Sequence, residues 1–400
     1  MKVIYAGEAL PPTFSKSIFL AGPTPRKDTV QSWRPEALAI LELLGYDGVV
    51  YVPEYRPGSD LEWNSKVGKD NILLNFAHNE QIQWETTCLE MSDCIVFWVP
   101  RELGTMPALT TNDEWGTWKK TGKVVFGCPP TAPKTRYQKH FAEKLSVPTA
   151  DTLAGTLKNA VDMVSQGAER TKGERNIPLM IWNTKAFQSW YDSHKTVGNY
   201  LDGAKVLWSF RAGPNKKFVF AYTIHVKVYV ADEDRCKVNE FVFFRTDISC
   251  VVLYHKASNL RESEVVLIKE FRSPVRNEDG FVYEVAGGSS FKEGQDPVQV
   301  ASDEVFEETG IRIAPGRFRC FKSRQIAATV SSHHAYMYAA EITEEELAYA
   351  KKAEAENKMF GNNVTDSEQT YVRVVTIDDV LEHRVPIDWS MVGMILRAIV

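Results

Sequence analysis

Residues 282–311, with the sequence VYEVAGGSSFKEGQDPVQVASDEVFEETGI, decide the fold of the C-terminal part of the chain. A β-prone run ends at Gly287-Gly288. A helix is predicted between Pro297 and Gly310, because proline favours the first helical turn and glycine the position after the last. Apolar residues at helical spacing predict that one side of this helix packs into a core: Val298, Ala301 and Val305.

Three glutamates of this predicted helix, Glu304, Glu307 and Glu308, fall at positions i, i+3 and i+4 and therefore share one face. Carboxylates at such short separations repel one another. Two explanations remain open: a solvated acidic face, or a site for a hard divalent cation such as Mg²⁺, which takes carboxylate oxygens together with substrate phosphates.

The stretch resembles the Nudix box, and residues 304–311 match its glutamate-rich ending. The beginning departs from the pattern, because Gln295 stands where the family has glutamate and Asp303 replaces its arginine. The resemblance implies a Nudix hydrolase that binds Mg²⁺ (or Mn²⁺) through Glu304, Glu307 and Glu308.

The preceding Glu270-Phe271-Arg272-Ser273-Pro274 and the run up to Gly288 look like the ADP-sugar pyrophosphatase branch of that family. This narrower resemblance implies that the backbone carbonyl of Gly287 binds the metal and that Arg272 contacts substrate. It also implies that a late loop acid, Glu368, completes the site. A surface role for Glu368 remains the alternative.

Composition limits the class of protein. The chain has 400 residues, 44% hydrophobic and 25% charged, which indicates two or three soluble globular domains. A net charge of −5 argues against a nucleic-acid surface. The sequence shows no apolar run of membrane-spanning length and no signal-peptide pattern at its start, so neither feature is expected. The six scattered cysteines predict buried thiols and a cytoplasmic protein.

Short apolar runs alternate with helical patterns in the N-terminal part. Such alternation predicts an α/β domain, a doubly wound parallel sheet covered on both faces. Ligands of these sheets bind beyond the carboxyl ends of the strands, so the segments that matter are 21–26, 99–114 and 128–136.

Two carboxylates, Glu114 and Glu85, are expected near this edge. Glu114 is predicted to open a helix, where the helix dipole would keep it ionised, and Glu85 to lie on the helix before the strand that starts near Cys94. Each has a plainer explanation, a helix-terminal charge for Glu114 and a surface glutamate for Glu85.

Three motifs resemble the nucleoside 2-deoxyribosyltransferase family and its N-glycoside-hydrolase relatives: Phe19-Leu20-Ala21-Gly22-Pro23, Ser92 to Phe97, and Asn112 to Gly116. The resemblance implies a flavodoxin-like fold, with Glu114 as the nucleophile on the sugar C1′ and Glu85 as the acid that contacts the leaving base. It also implies that Gly22, Pro23 and Asn112 bind substrate. Ala108 departs from the family, which often has aspartate there. Arg26 or Arg101 is a candidate for a 5′-phosphate.

These observations predict a nucleoside 2-deoxyribosyltransferase-like domain at 1–165, a polar linker at 166–175 and an α+β Nudix domain at 176–400. The predicted protein is a bifunctional enzyme that acts on the N-glycosidic bond of a nucleoside or nucleotide and on a nucleoside diphosphate derivative such as ADP-ribose. The alternative is a sensor that binds such a ligand without turnover. Both resemblances imply a homo-oligomer, and neither a membrane nor nucleic acid is an expected partner.

Overall fold

The chain forms two units in a computed structural model that describes residues 1–27, 29–59, 72–213, 216, 218–289, 295–361 and 368–400. Contacts between Cα atoms divide it into Met1–Phe243 and Phe244–Val400. The division falls inside the strand Arg235–Arg245, whereas the sequence predicts a linker at 166–175. None of the helices in the described ranges combines the length and apolarity that a bilayer crossing requires.

The described strands of the first unit are β1 (Lys2–Tyr5), β2 (Thr13–Phe14), β3 (Ser17–Ala21), β4 (Val49–Val52), β5 (Cys94–Trp98), β6 (Val124–Gly127), β7 (Thr149–Ala150), β8 (Arg170–Thr171), β9 (Tyr200–Ala212), β10 (Phe218–Val230) and β11 (Arg235–Arg245). Its helices are α1 (Arg34–Leu43), α2 (Ile72–Met91), α3 (Leu109–Trp118), α4 (Arg136–Lys144), α5 (Leu153–Val164), α6 (Leu179–Trp182) and α7 (Lys185–Thr196).

A parallel sheet with strand order β1-β4-β3-β5-β6-β7 forms the centre of the first unit. All of its neighbouring strands pair in parallel. Apart from the extra edge strand β1, this is the flavodoxin-like order, in which the chain reverses direction across the sheet between β3 and β5. The predicted α/β parallel sheet is therefore confirmed.

The central strands are buried along their whole length, as a sheet covered on both faces requires. Aromatic side chains fix α3 on one face. The Trp115 ring lies edge-on to Phe97, with ring centroids 5.3 Å apart, and contacts Phe126 at 5.1 Å.

The segment 166–175, predicted as a linker, packs against the amino edge of this sheet. Its Arg170 forms β8 with Thr171, pairs with β2, and is 0% exposed. The Arg170 guanidinium donates two hydrogen bonds to the Asp93 carboxylate, at 2.8 and 2.6 Å. The same carboxylate accepts from the backbone N–H of Ser17 and of Leu179. A buried ion pair therefore anchors the segment to the first unit.

A second sheet of the first unit has the order β11-β10-β9. The preceding helix α7 begins at a Thr184 cap, whose hydroxyl accepts from the Phe187 N–H. Its Phe187 and Tyr191 side chains are buried. Residues 176–243, which the sequence assigned to the C-terminal domain, thus form helices and a sheet that belong to the first unit.

The second unit contains the described strands β12 (Ile248–His255), β13 (Glu264–Phe271), β14 (Phe281–Glu284), β15 (Ala286–Gly288), β16 (Arg319–Cys320), β17 (Arg324–Gln325), β18 (His334–Glu341), β19 (Met359–Phe360) and β20 (Thr370–Thr376). Its helices are α8 (Pro297–Thr309), α9 (Glu344–Ala355), α10 (Ile377–Leu381) and α11 (Trp389–Ile399).

These strands form one mixed sheet, whose main path is β16-β18-β12-β13-β20-β19. Alternate residues of β12 enter two different cores. Cys250 and Val252 pack with residues of α11, while Val251 and Leu253 pack with α8 and α9. The second unit is mostly β, with helices on both faces of its sheet.

Candidate functional site

The turn after β3 lies against the end of β5, at the point where the strand order reverses. A Cβ atom on Gly22 would overlap the Trp98 carbonyl oxygen and lie 2.8 Å from Cζ2 of Trp33. Only glycine fits there. The carbonyl of the next residue, Pro23, accepts a hydrogen bond of 3.1 Å from the Trp33 indole N–H. The predicted Gly22-Pro23 turn therefore lies in the ligand-binding crevice of this fold class.

Glu114 lies in the second turn of α3, not at its beginning. The helix starts at Leu109, after Ala108 in the left-handed conformation with φ 59°. The prediction that the helix dipole keeps Glu114 ionised is therefore wrong, since the dipole acts mainly within the first turn. Burial, followed by the neighbouring Glu85 charge, raises the pKa of Glu114 to about 8, although Arg34 acts in the opposite direction.

Glu85 faces this site from α2, where its Oε1 accepts a hydrogen bond of 2.8 Å from Gln81 Nε2. Its negative charge also acts on Tyr55, which follows β4: burial raises the pKa of the Tyr55 phenol and Glu85 adds to the rise. The structure thus brings the two predicted carboxylates together. It adds Tyr55 and Arg34, which no sequence motif marked.

Asn112 and Arg101 bind each other at the side of the crevice. Arg101 is only 5% exposed. Its guanidinium donates to Asn112 Oδ1 at 2.6 Å and to the Lys134 carbonyl at 2.7 Å. Gln138 Nε2 also donates to Asn112 Oδ1, at 3.1 Å. The Asn112 oxygen is therefore held by the protein, and Arg101 is placed to support the loop.

In the second unit, the predicted helix has the expected ends. Asp296 caps its start by accepting from the Val298 N–H, and Gly310 ends it with φ 73°. The helix places Glu308 against β15, where its carboxylate accepts a hydrogen bond of 2.8 Å from the Gly287 N–H. Any side chain on Gly288 would overlap the Glu304 carboxylate.

Crowded carboxyl groups dominate this second site. Burial, then Glu307 and Glu368, raise the pKa of Glu304 to about 7. The pKa of Glu308, which is 1% exposed, is raised well above its usual value by burial, Glu304 and Glu368. Glu307, in contrast, is exposed.

The donors that the Nudix resemblance implies are all oxygens, from carboxyl groups and the Gly287 carbonyl, and Mg²⁺ or Mn²⁺ takes ligands of that kind. A cation there would offset the burial and the mutual repulsion that raise both pKa values. In the described ranges, however, no group of three or more His, Cys, Asp or Glu side chains has metal-binding spacing.

Arg272, predicted to bind substrate, lies between two acids. Its Nη2 is 2.8 Å from Glu270 Oε2 and 2.8 Å from Glu284 Oε2. Asp303 is exposed and accepts a hydrogen bond from Gln299 Nε2.

Comparison with protein families matches residues 15–132 to the family described as "Nucleoside 2-deoxyribosyltransferase like". The match covers less than half of the chain, lies within the first unit, and includes Gly22, Glu85 and Glu114. No curated protein matches the chain. The N-terminal region is therefore nucleoside 2-deoxyribosyltransferase-like.

Proposed function

We propose that the first unit cleaves or transfers the N-glycosidic bond of a nucleoside or nucleotide. The coupled carboxyl pair of Glu114 and Glu85, in the crevice beside Gly22, carries the proposal, and the family match supports it. The Glu114 carboxylate forms a bond to C1′ as the C1′–N bond breaks, and Glu85 gives a proton to the departing base. Water or an acceptor base then attacks C1′, the bond to Glu114 breaks and returns its carboxylate, and Glu85 takes up the proton that the attacking molecule loses.

The raised pKa of Glu114 defines the pH dependence of this reaction. With a pKa of about 8, the free enzyme holds a proton on Glu114 at neutral pH. Attack requires ionised Glu114, whereas proton transfer to the base requires protonated Glu85. For a substrate whose base departs without protonation, kcat/KM should therefore increase as pH rises toward and past 8. If kcat/KM falls over the same range instead, the roles are exchanged: Glu114 is the acid and Glu85 the nucleophile.

Base release from nucleosides and nucleotides, followed by chromatography, tests the proposal. Glu114→Gln should lose about a hundredfold or more in kcat, since loss of a nucleophile costs more than loss of a binding contact. Glu36→Gln, the same change at an exposed position of α1, serves as control. If Glu114→Gln keeps full activity, or if the wild type is inactive on every substrate, the first unit is better explained as a non-catalytic binding module.

For the second unit, we propose Nudix-type hydrolysis of a nucleoside diphosphate derivative such as ADP-ribose. The mutual electrostatic effect of Glu304, Glu308 and Glu368 beside Gly287 carries this second proposal. Bound Mg²⁺ or Mn²⁺ would polarise the diphosphate and lower the pKa of a water molecule. Glu368 or a box glutamate would accept the proton of that water.

Phosphate-ester products, measured with Mg²⁺ present, test this second activity. Glu308→Gln should abolish turnover and keep the fold, because glutamine can still accept from the Gly287 N–H. The exposed Glu345→Gln of α9 is the matched control. Calorimetric binding of ADP-ribose by a wild type without turnover would instead support the sensor, the alternative that Gln295 and Asp303 suggest.

A further inference from the structure

Arg34, the first residue of α1, is almost completely buried, with 1% of its surface exposed. An arginine remains charged in proteins, so burial is costly unless its N–H groups have partners. The structure supplies partners at one place, the carboxyl edge of the parallel sheet.

The Arg34 guanidinium makes four hydrogen bonds there. Nε donates to the Leu20 carbonyl at 3.2 Å and Nη2 to the Gly22 carbonyl at 2.8 Å. Nη1 donates to Thr24 Oγ1 at 3.0 Å and to Glu54 Oε1 at 2.5 Å. One side chain thus joins the turn after β3 to Glu54, two residues beyond the end of β4.

Trp33 reinforces the arrangement from the preceding position. The Arg34 guanidinium lies 4.9 Å from the Trp33 ring centroid, and the Trp33 N–H binds the Pro23 carbonyl. Glu54 is itself held by Ser32, whose hydroxyl donates to it at 2.9 Å. The hydrogen bonds to the backbone carbonyls of Leu20, Gly22 and Pro23 fix the backbone path of the turn.

The positive charge of Arg34 also acts on Glu114. The charged groups that act on Glu114 are Glu85 from α2, Asp113 from its own helix and Arg34 from α1. Among the residues that the structure describes, Arg34 is the cation that acts on Glu114, and it favours the ionised carboxylate against burial and the two acids.

We propose that Arg34 is a positioning residue of the first site: it fixes the turn from Gly22 to Thr24 and presents a positive charge to Glu114. The inference rests on the proposed glycosidic function for its catalytic meaning. Its electrostatic part concerns Glu114 and can be measured without turnover.

The first test measures the titration of the Glu114 carboxyl by ¹³C NMR in the full chain, with the resonance assigned by its loss in Glu114→Gln. Arg34→Gln removes the charge and should move the midpoint upward by roughly one pH unit, whereas Arg34→Lys should leave it near the wild-type value. Arg56→Gln, which removes a more exposed arginine paired with Glu8, should not move it.

The second test measures base release. Lysine lacks the planar fork that reaches several acceptors, so Arg34→Lys should raise KM about tenfold or more while its kcat–pH midpoint stays in place. An unshifted Glu114 midpoint in Arg34→Gln, or an unchanged KM in Arg34→Lys, overturns the proposal. If Arg34→Gln does not fold, the KM of Arg34→Lys decides. If the wild type releases no base, the glycosidic function fails, and the NMR titration still decides the role of Arg34.

Discussion

Replacing Arg170 with methionine should strongly destabilise the first unit. The side chains of Arg170 and Asp93 are both 0% exposed, and the bond from Nη2 to Oδ2 is 2.6 Å long. The substitution keeps much of the volume but leaves the Asp93 carboxylate buried without a counter-charge. Breaking such a pair from one side costs about 3–5 kcal/mol.

Other contacts of Arg170 point to the upper part of that range. Its guanidinium also donates to the carbonyl groups of Ile177 and Ser15, which would lose these donors. Asp93 would keep the Ser17 and Leu179 N–H groups, which limits the loss. The free energy of unfolding of an ordinary domain is about 5–15 kcal/mol, so the substitution should remove a substantial fraction of it.

Denaturant unfolding, followed by tryptophan fluorescence at neutral pH, measures this change in the first unit, because the chain has 10 tryptophans and Trp389 alone lies beyond residue 243. Arg175→Met is the matched control, since Arg175 donates to the backbone carbonyls of Lys172 and Pro11 and, among the described residues, to no carboxylate. If both variants lose the same free energy, or Arg170→Met loses less than about 1 kcal/mol, the ion pair does not anchor segment 166–175.

Gly22→Ala should destabilise the first unit by about 1–3 kcal/mol, because its methyl group would overlap the Trp98 carbonyl. Thermal unfolding measures this, and Gly104→Ala, where a Cβ meets nothing within 4 Å, is the control; equal melting temperatures would contradict the close approach. The folded-state pKa of Glu114, about 8 against an ordinary 4.5, means that its buried carboxyl makes the fold less stable as pH rises through that interval. Glu114→Gln should therefore gain stability over wild type between pH 5 and pH 9, on the order of 4 kcal/mol, and a difference that is constant with pH would refute this. Millimolar Mg²⁺ should raise the melting temperature of wild type, and EDTA should reverse the rise, but neither should affect Glu308→Gln; an equal response of both proteins would exclude Glu308 as a ligand.

Local sequence patterns predicted the elements whose causes are local. The buried strand Ser17–Ala21 is a continuous apolar run, and α8 has proline at its first position and glycine after its last. The contact between Glu308 and Gly287 also agrees with the motif that linked them, although the catalytic and metal-binding roles of both residues stay predictions.

Features that depend on distant partners were not predictable in this way. Segment 166–175 is polar and contains glycine, which is typical of a linker. Arg170 is nevertheless buried, because its charge is paired with the buried Asp93 carboxylate. Helix α3 begins after Ala108, which offers no capping side chain, so its sequence did not mark the start. A buried arginine such as Arg34 looks like any surface arginine until the turn it supports is known.

The pair of Asp93 and Arg170 also has a consequence for the order in which the protein is made. Arg170 follows Asp93 by 77 residues, and a ribosome adds about 5–20 residues per second. The carboxylate at the amino end of β5 therefore exists for roughly 4–15 seconds before its counter-ion has been synthesised. We expect the nascent parallel sheet to remain open at that edge until the β8 segment has left the exit tunnel.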